Sequence, residues 1–205
     1  MQERLPKIGI AGGTFDPIHY GHLIIAEEIR ESCGLDKVLF IPSGNPPHKD
    51  TRCVTSAEHR FNMVAAAIST NGFFEASRLE MERTGYAYTV DTLQELRNLY
   101  GENVGLYFII GADVVWDLLK WKQPERLFAM CEFIVAFRPA CRMDSFVKEV
   151  EMLRTKHSAR INIADTPVID ISSTAIRERA KTGRSLKYLV PEAVEDYILQ
   201  NGLYL

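Results

Sequence analysis

Residues 9–22 read GIAGGTFDPIHYGH, and this stretch decides how the whole chain is interpreted. An apolar run at residues 7–11 predicts a strand, and residues 18–32 have the periodicity of a helix. Between them, Gly12 and Gly13 let the backbone approach a ligand without a clash from a Cβ atom. Free amide groups at the start of the following helix favour an anion. The stretch therefore predicts a phosphate-binding turn between a strand and a helix.

Two histidines, His19 and His22, follow the glycines at a spacing that places both on one face of the predicted helix. Two simpler explanations remain open: the histidines are surface residues beside a tight turn, or they ligate a metal with Asp16. The stretch is not G-x-G-x-x-G, and the second strand does not end in an acid, which disfavours a dehydrogenase-type dinucleotide site. The sequence contains no G-x-x-x-x-G-K-[ST], which excludes a P-loop.

The rest of the chain alternates between strand-like and helical patterns. Strands are predicted at residues 7–11, 37–42, 73–77, 104–110, 132–137 and 168–170, and helices at 18–32, 57–69, 89–100, 144–156, from 173 and from 191. This alternation predicts a single α/β domain over residues 1–205, a Rossmann-like doubly wound parallel sheet with helices on both faces. A C-terminal helical part covers about 171–205. Four loops, at residues 12–18, 43–55, 111–116 and 171–174, follow strands and should converge at the carboxyl edge of the sheet.

Composition narrows the class of protein. The chain has 205 residues, of which 46% are hydrophobic and 25% charged, with a net charge of -3. A protein that coats nucleic acid is usually basic, so nucleic acid is not an expected partner. No apolar run approaches the roughly 20 residues that span a bilayer, and no signal peptide is visible. Four cysteines, Cys33, Cys53, Cys131 and Cys141, form no C-x-x-C pair. We expect a cytoplasmic protein with free thiols, no membrane partner and no metal site of its own, while homo-oligomers stay possible.

A second polar element, ISSTAIR, occupies residues 171–177. Ser172, Ser173 and Thr174 at a helix start offer hydroxyls and free amides to an anion. Arg177, one turn later, can reach the same phosphate with its fork of donors. The alternative is an ordinary capped helix.

Together, GGTFDPIHYGH and ISSTAIR resemble the two signatures of the HxGH nucleotidyltransferases. That superfamily includes nicotinate-nucleotide and phosphopantetheine adenylyltransferases and is distantly related to class I aminoacyl-tRNA synthetases. Three further segments resemble the nicotinate-nucleotide branch in its bacterial form: PPHK at residues 46–49, TVDTL at 89–93, and GAD at 111–113 followed by KWK at 120–122.

The resemblance implies a role for each matching residue. The expected catalytic residues are His19 and His22; the expected ATP and phosphate contacts are Gly12, Gly13, Thr14, Phe15, Lys49, Gly111, Asp113, Ser172, Ser173, Thr174 and Arg177; and the expected contacts to nicotinate mononucleotide are His48, Thr89, Trp121 and Lys122. In that family the tryptophan stacks on the pyridine ring. Backbone amides at the positions of Thr89 and Lys122 hold the nicotinate carboxylate.

The implied reaction is transfer of AMP from ATP to nicotinate mononucleotide, a step of NAD biosynthesis, with Mg²⁺ delivered by ATP. Two departures from the family pattern occur: residues 84–88 read TGYAY where the family commonly has Gly-Pro-Ser-Tyr, and Lys122 replaces a bulkier residue. Rival substrates are phosphopantetheine and nicotinamide mononucleotide. A nucleotide-binding regulator without catalysis is the rival from another class, and a tRNA synthetase is disfavoured by the short chain.

Overall fold

The computed structural model describes residues 5–45, 54–137 and 143–205. Strands and helices alternate along these residues, as the sequence predicts. The elements are β1 (Lys7–Gly13), α1 (Tyr20–Ser32), β2 (Lys37–Pro42), α2 (Ala57–Ile68), β3 (Phe74–Ala76), α3 (Thr89–Tyr100), β4 (Gly105–Gly111), a 3₁₀ helix (Ala112–Lys120), α4 (Pro124–Met130), β5 (Glu132–Phe137), α5 (Met143–His157), β6 (Ile161–Asp165), α6 (Ser173–Lys181) and α7 (Glu192–Gln200).

The six strands form one sheet in the order β3-β2-β1-β4-β5-β6. β1 pairs with β4, β4 with β5, and β5 with β6, and all three pairings are parallel. From β1 the chain adds β2 and β3 on one side of the sheet, and it then adds β4, β5 and β6 on the other side. This change of side between β1 and β4 is the arrangement of a Rossmann-type doubly wound sheet. The predicted fold class is therefore confirmed.

The described residues divide into two compact units. The first contains residues 5–11, 26–38, 88–137 and 143–168, and the second contains residues 12–25, 39–45, 54–87 and 169–205. In the first unit a buried row crosses the sheet, because Ile10, Phe108, Phe133 and Ile161 pair in register. The 3₁₀ helix packs against β4, β5, α4 and α5. This packing fixes the residues that follow β4.

The second unit has its own core. Helix α2 packs against β3 and α7, and Met63, Val194 and Ile198 are fully buried there. The unit contains both ends of the predicted phosphate site, residues 12–25 and 169–205.

Two predicted elements need correction, and two elements were not predicted. Residues 168–170 form no strand, and Val168 is 63% exposed; the sixth strand is β6 at Ile161–Asp165, where no strand was predicted. Residues 111–116 are not a plain loop, since the 3₁₀ helix begins at Ala112. Helix α4 was not predicted at all. In contrast, α3 has the predicted bounds.

Candidate active site

The turn after β1 is later and tighter than predicted. β1 continues through Gly12 and Gly13, and α1 begins at Tyr20, so only residues 14–19 connect the two elements. Phe15 has a φ of 49°, in the left-handed region that few non-glycine residues adopt. The expected loop of residues 12–18 is therefore partly strand, and the helix does not include Ile18.

The structure brings the two histidines into direct contact. Their rings stack with centroids 3.7 Å apart and an interplanar angle of 21°. His19 lies just before α1 and is 5% exposed, whereas His22 lies in the first turn and is half-buried. The two residues do not share a helical face as predicted. The turn nevertheless places the two imidazole rings next to each other.

A hydrogen bond sets the expected tautomer of His22. The backbone N–H of His19 donates to Nδ1 of His22 at 3.3 Å. A neutral imidazole whose Nδ1 accepts a hydrogen bond carries its proton on Nε2. His22 is thus prepared to donate from Nε2 to a ligand oxygen.

Phe15 supports His22 from the side. Its ring meets the His22 ring edge-on at 5.1 Å and packs 5.8 Å from Phe40. The side chain is buried, so any contact of Phe15 with a nucleotide would use its backbone.

Gly21 makes room for His19. A Cβ at this position would lie 3.0 Å from Nδ1 and 3.1 Å from Cε1 of the His19 ring. Since such separations are tighter than van der Waals contact, a side chain at residue 21 would push the imidazole away.

We expect Gly21→Ala to lower kcat at least tenfold without lowering the melting temperature. Alanine favours a helix over glycine by about 1 kcal/mol, so the helix gains stability while His19 is displaced. Steady-state kinetics and thermal melts measure the two effects. Gly72→Ala is the control, because a Cβ there meets nothing within 4 Å. Unchanged kcat in Gly21→Ala would contradict the packing argument.

The ISSTAIR segment packs directly against the turn that precedes His19. Ser173 Oγ donates to the carbonyl of Pro17 at 2.9 Å, and Arg177 Nη1 donates to the carbonyl of Asp16 at 2.7 Å. Ser172 caps α6 by accepting from the N–H of Ala175. Arg177 Nη2 also donates to Thr174 Oγ1 at 3.3 Å. The two predicted motifs are therefore neighbours, and these contacts occupy two of the five N–H donors of Arg177.

A buried cation that the sequence analysis missed holds the surrounding loops. Arg60 in α2 is 1% exposed. Its guanidinium donates to the carbonyls of Thr14 at 2.7 Å, Ser43 at 2.6 Å and Thr55 at 2.9 Å. Burial lowers the pKa of Arg60, while nearby Asp16 opposes that shift. The acceptors of all three short hydrogen bonds are main-chain oxygens, which every residue has. No sequence pattern therefore predicts these contacts.

Some predicted residues cannot be placed. His48 and Lys49 belong to residues 46–53, which lie outside the described residues.

In the first unit, Gly111 and Asp113 lie at the end of β4. A Cβ on Gly111 would meet the Asp113 carboxylate, with Oδ1 2.5 Å away. Glycine therefore lets this exposed carboxylate fold over the strand end.

The predicted pyridine-binding residues follow in the same unit. Trp121 is half-buried and meets Phe108 and Phe133 edge-on, with ring centroids 6.0 and 6.5 Å away. Thr89 is the first residue of α3, where backbone N–H groups lack partners within the helix.

The side chain of Lys122 is engaged with its neighbours. Its ammonium lies 3.0 Å from Asp91 Oδ2 and 4.3 Å from the centre of the Tyr88 ring. The charge of Lys122 is thereby balanced within the protein.

Among residues 5–45, 54–137 and 143–205, no group of three or more His, Cys, Asp or Glu side chains could hold a metal ion. Over the same residues, no helix is both long and apolar enough to cross a membrane.

Comparison with known proteins shows which proteins this chain resembles. The cytidylyltransferase-like family matches residues 10–179. The probable nicotinate-nucleotide adenylyltransferase of Thermoanaerobacter sp. (strain X514) is 49% identical over 98% of this chain and 96% of its own length. The protein of the same name from Moorella thermoacetica is 48% identical over 97% of this chain and 91% of its own.

A solved structure has the same fold. It is Plasmodium falciparum nicotinic acid mononucleotide adenylyltransferase complexed with NaAD, with a TM-score of 0.79, 23% identity and coverage of 97% of both chains. Given the strand order, the family match and the identity to these relatives, the chain belongs to the cytidylyltransferase-like family and, within it, to the nicotinate-nucleotide adenylyltransferases.

Proposed function

We propose that the chain transfers the AMP group of ATP to nicotinate mononucleotide, with His19 and His22 as its catalytic residues. The observation that carries the assignment of roles is the contact between the two motifs. The stacked histidines follow a turn whose carbonyls are bound by Ser173 and Arg177. Donors to one polyphosphate are thereby gathered from both ends of the sequence.

The reaction needs no covalent enzyme intermediate. A phosphate oxygen of nicotinate mononucleotide forms a bond to the α-phosphorus of ATP, and the bond from that phosphorus to the bridging oxygen of the β-phosphate breaks. The products are nicotinate adenine dinucleotide and pyrophosphate. Positioning and charge stabilisation supply most of the rate enhancement in such transfers.

Most of the proposed ATP contacts lie in the second unit. His22 donates from Nε2 to the transferring phosphate, and buried His19 holds the stacked partner ring and donates beside it. Pyrophosphate is bound by the helix start of α6 and the remaining donors of Arg177. The full set of proposed ATP and phosphate contacts is Gly12, Gly13, Thr14, Phe15, Lys49, Gly111, Asp113, Ser172, Ser173, Thr174 and Arg177.

The pyridine nucleotide is proposed to bind mainly to residues of the first unit. Trp121 stacks on the ring, and backbone amides at Thr89 and Lys122 hold the carboxylate, with His48 as a further contact. The Lys122 ammonium already faces Asp91. This ion pair supports a main-chain contact to the carboxylate at residue 122 over a side-chain contact.

Several wider expectations accompany the proposal. Residues 1–205 act as one nucleotidyltransferase domain, with the part from about 171 carrying ISSTAIR. Mg²⁺ enters bound to ATP as part of that substrate. We propose a cytoplasmic location, which the half-buried and buried free thiols of Cys33 and Cys131 support. Homo-oligomer formation is a further proposal, to be measured by light scattering.

The test of the proposed function is one assay of pyrophosphate release. Purified protein is supplied with ATP and Mg²⁺ and with nicotinate mononucleotide, nicotinamide mononucleotide or phosphopantetheine. We expect the highest kcat/KM with nicotinate mononucleotide. If pyrophosphate is released only when phosphopantetheine is the acceptor, phosphopantetheine replaces nicotinate mononucleotide as the proposed substrate. If no acceptor gives pyrophosphate, a regulator without catalysis is favoured.

We also expect the preference for acid over amide to survive in Lys122→Ala. A carboxylate accepts both backbone bonds, whereas a carboxamide turns an NH₂ towards one donor, at a cost on the order of 1–3 kcal/mol. That cost corresponds to roughly 5- to 150-fold in kcat/KM. The measurement is kcat/KM for both substrates in the wild type and the variant. Loss of the preference in Lys122→Ala would show that the Lys122 side chain, and not the backbone, distinguishes the acid from the amide.

Trp121→Ala serves as the companion variant in that experiment. Stacking depends on the pyridine ring and not on its substituent. We therefore expect kcat/KM to fall by a similar factor for both substrates. Trp116→Ala is the matched control, because Trp116 lies in the same 3₁₀ helix region and is 44% exposed.

A further inference from the structure

Asp16 is a buried carboxylate in the middle of the turn that leads to His19. It is 4% exposed. Its Oδ1 accepts the hydroxyl of Tyr204 at 2.6 Å, and its Oδ2 accepts the N–H of Thr55 at 3.3 Å. A buried carboxylate with partners on both oxygens holds its position firmly, since loss of either bond leaves a buried carboxylate oxygen without that donor.

Tyr204 reaches this carboxylate from beyond α7. Its φ is 65°, a left-handed conformation that costs energy in a tyrosine and persists where the surroundings enforce it. Burial, together with the hydrogen bond to Asp16, raises the pKa of Tyr204. The phenol therefore stays protonated at physiological pH and remains a donor.

Three residues from one part of the chain thus hold two consecutive residues of the turn. Tyr204 binds the Asp16 side chain, Arg177 binds the Asp16 carbonyl, and Ser173 binds the Pro17 carbonyl. His19 follows two positions later, with its N–H bound to His22 Nδ1. A shift at Asp16 is consequently passed along a short, buried connection to both histidine rings.

We infer that Tyr204 is a positioning residue of the reaction, acting through Asp16 on His19 and His22. This inference rests on the catalytic roles proposed for the two histidines. Arg177 and Ser173 bind the backbone of the turn and are also proposed to bind phosphate, whereas the Tyr204 hydroxyl donates to the Asp16 carboxylate. Loss of the Tyr204 hydroxyl should therefore lower kcat and leave substrate binding unchanged.

The test is Tyr204→Phe, which removes one oxygen atom. We expect kcat to fall about tenfold, while KM for ATP and for nicotinate mononucleotide stay within twofold, because a small misplacement of a catalytic group costs rate before binding. In NMR spectra of the full chain, the ring signals of His19 and His22 should shift.

Tyr197→Phe is the matched control. Its hydroxyl contacts His59 Nδ1 and Asn62 Nδ2, each at 3.0 Å, in the same unit. This variant loses a comparable hydrogen bond but should keep kcat and the ring signals of His19 and His22. Equal losses of kcat in the two variants would overturn the inference in favour of general destabilisation.

A double variant tests the route through Asp16. If Tyr204 acts through that carboxylate, Tyr204→Phe should reduce kcat by less than twofold in an Asp16→Ala background, where the acceptor of the Tyr204 hydroxyl is absent. A full tenfold loss in that background would overturn the route. His22→Ala, assayed in the same experiment, separates failure of the Tyr204 inference from failure of the catalytic roles proposed for the histidines. If it is inactive while Tyr204→Phe keeps wild-type kcat and ring signals, only this inference fails. If His22→Ala stays active, the proposed histidine roles fail and this inference fails with them.

Discussion

His22→Ala is expected to lower kcat by about 10²–10³-fold, the usual cost of removing one donor to the transition state. The ring is half-buried and stacks on His19, so its removal disturbs the local packing of Phe15 and His19 and removes the hydrogen bond from the His19 N–H. The melting temperature should therefore stay close to that of the wild type. Steady-state kinetics with ATP and nicotinate mononucleotide, together with thermal melts, measure both quantities.

His157→Ala is the control for His22→Ala. His157 also pairs through Nδ1, with Glu125 Oε1 at 2.7 Å, and belongs to neither motif. Turnover should be unaffected there. Wild-type turnover in His22→Ala would remove the histidine from the mechanism and leave the stacked pair as a packing feature.

Arg60→Met should give the largest loss of stability. The substitution keeps most of the side-chain length but leaves the carbonyls of Thr14, Ser43 and Thr55 without their donor. A fully buried carbonyl without a donor costs about 1–3 kcal/mol; these three are half-buried, and relief from burying a cation offsets a further part of the sum. A net loss on the order of 3 kcal/mol corresponds to a fall in melting temperature of roughly 6–12 °C.

Arg126→Met is the matched control for Arg60→Met. Arg126 is exposed and donates to the side chains of Gln123 and Gln94, which water can satisfy. Its melting temperature should change little. If Arg60→Met melts like Arg126→Met, the three carbonyls find other partners and the loops do not depend on the guanidinium.

Buried strands were predictable from the sequence because they leave long apolar runs. β2 and β5 have the predicted bounds, and every described residue of β5 after Glu132 is buried. β6 escaped detection since only its first and fourth residues, Ile161 and Ala164, are buried, a pattern unlike the alternation of a half-buried strand.

The 3₁₀ helix illustrates a different limit. Its buried residues, Ala112, Val115 and Leu118, recur at intervals of three, the repeat of a 3₁₀ helix. A search for the period of 3.6 residues does not find this pattern.

In the candidate site, motif residues could be predicted and their supports could not. His19, His22, Ser173 and Arg177 are polar residues in recognisable strings, and the structure brings them together. Arg60 and Tyr204 act on main-chain oxygens or on a distant carboxylate. Such contacts depend on tertiary proximity, so nothing near either residue in the sequence marks it.

The contact between Tyr204 and Asp16 spans 188 positions of the sequence. Closing so long a loop costs little more than closing a shorter one, about 0.6 kcal/mol for each doubling, so its thermodynamic cost is modest. Its consequence is one of timing. A ribosome adds residues in order, and a nascent chain carries GGTFDPIHYGH long before it carries the tyrosine. The turn that leads to His19 is therefore synthesised well before Tyr204, and the hydrogen bond that holds the Asp16 side chain can form only after residue 204 has been added.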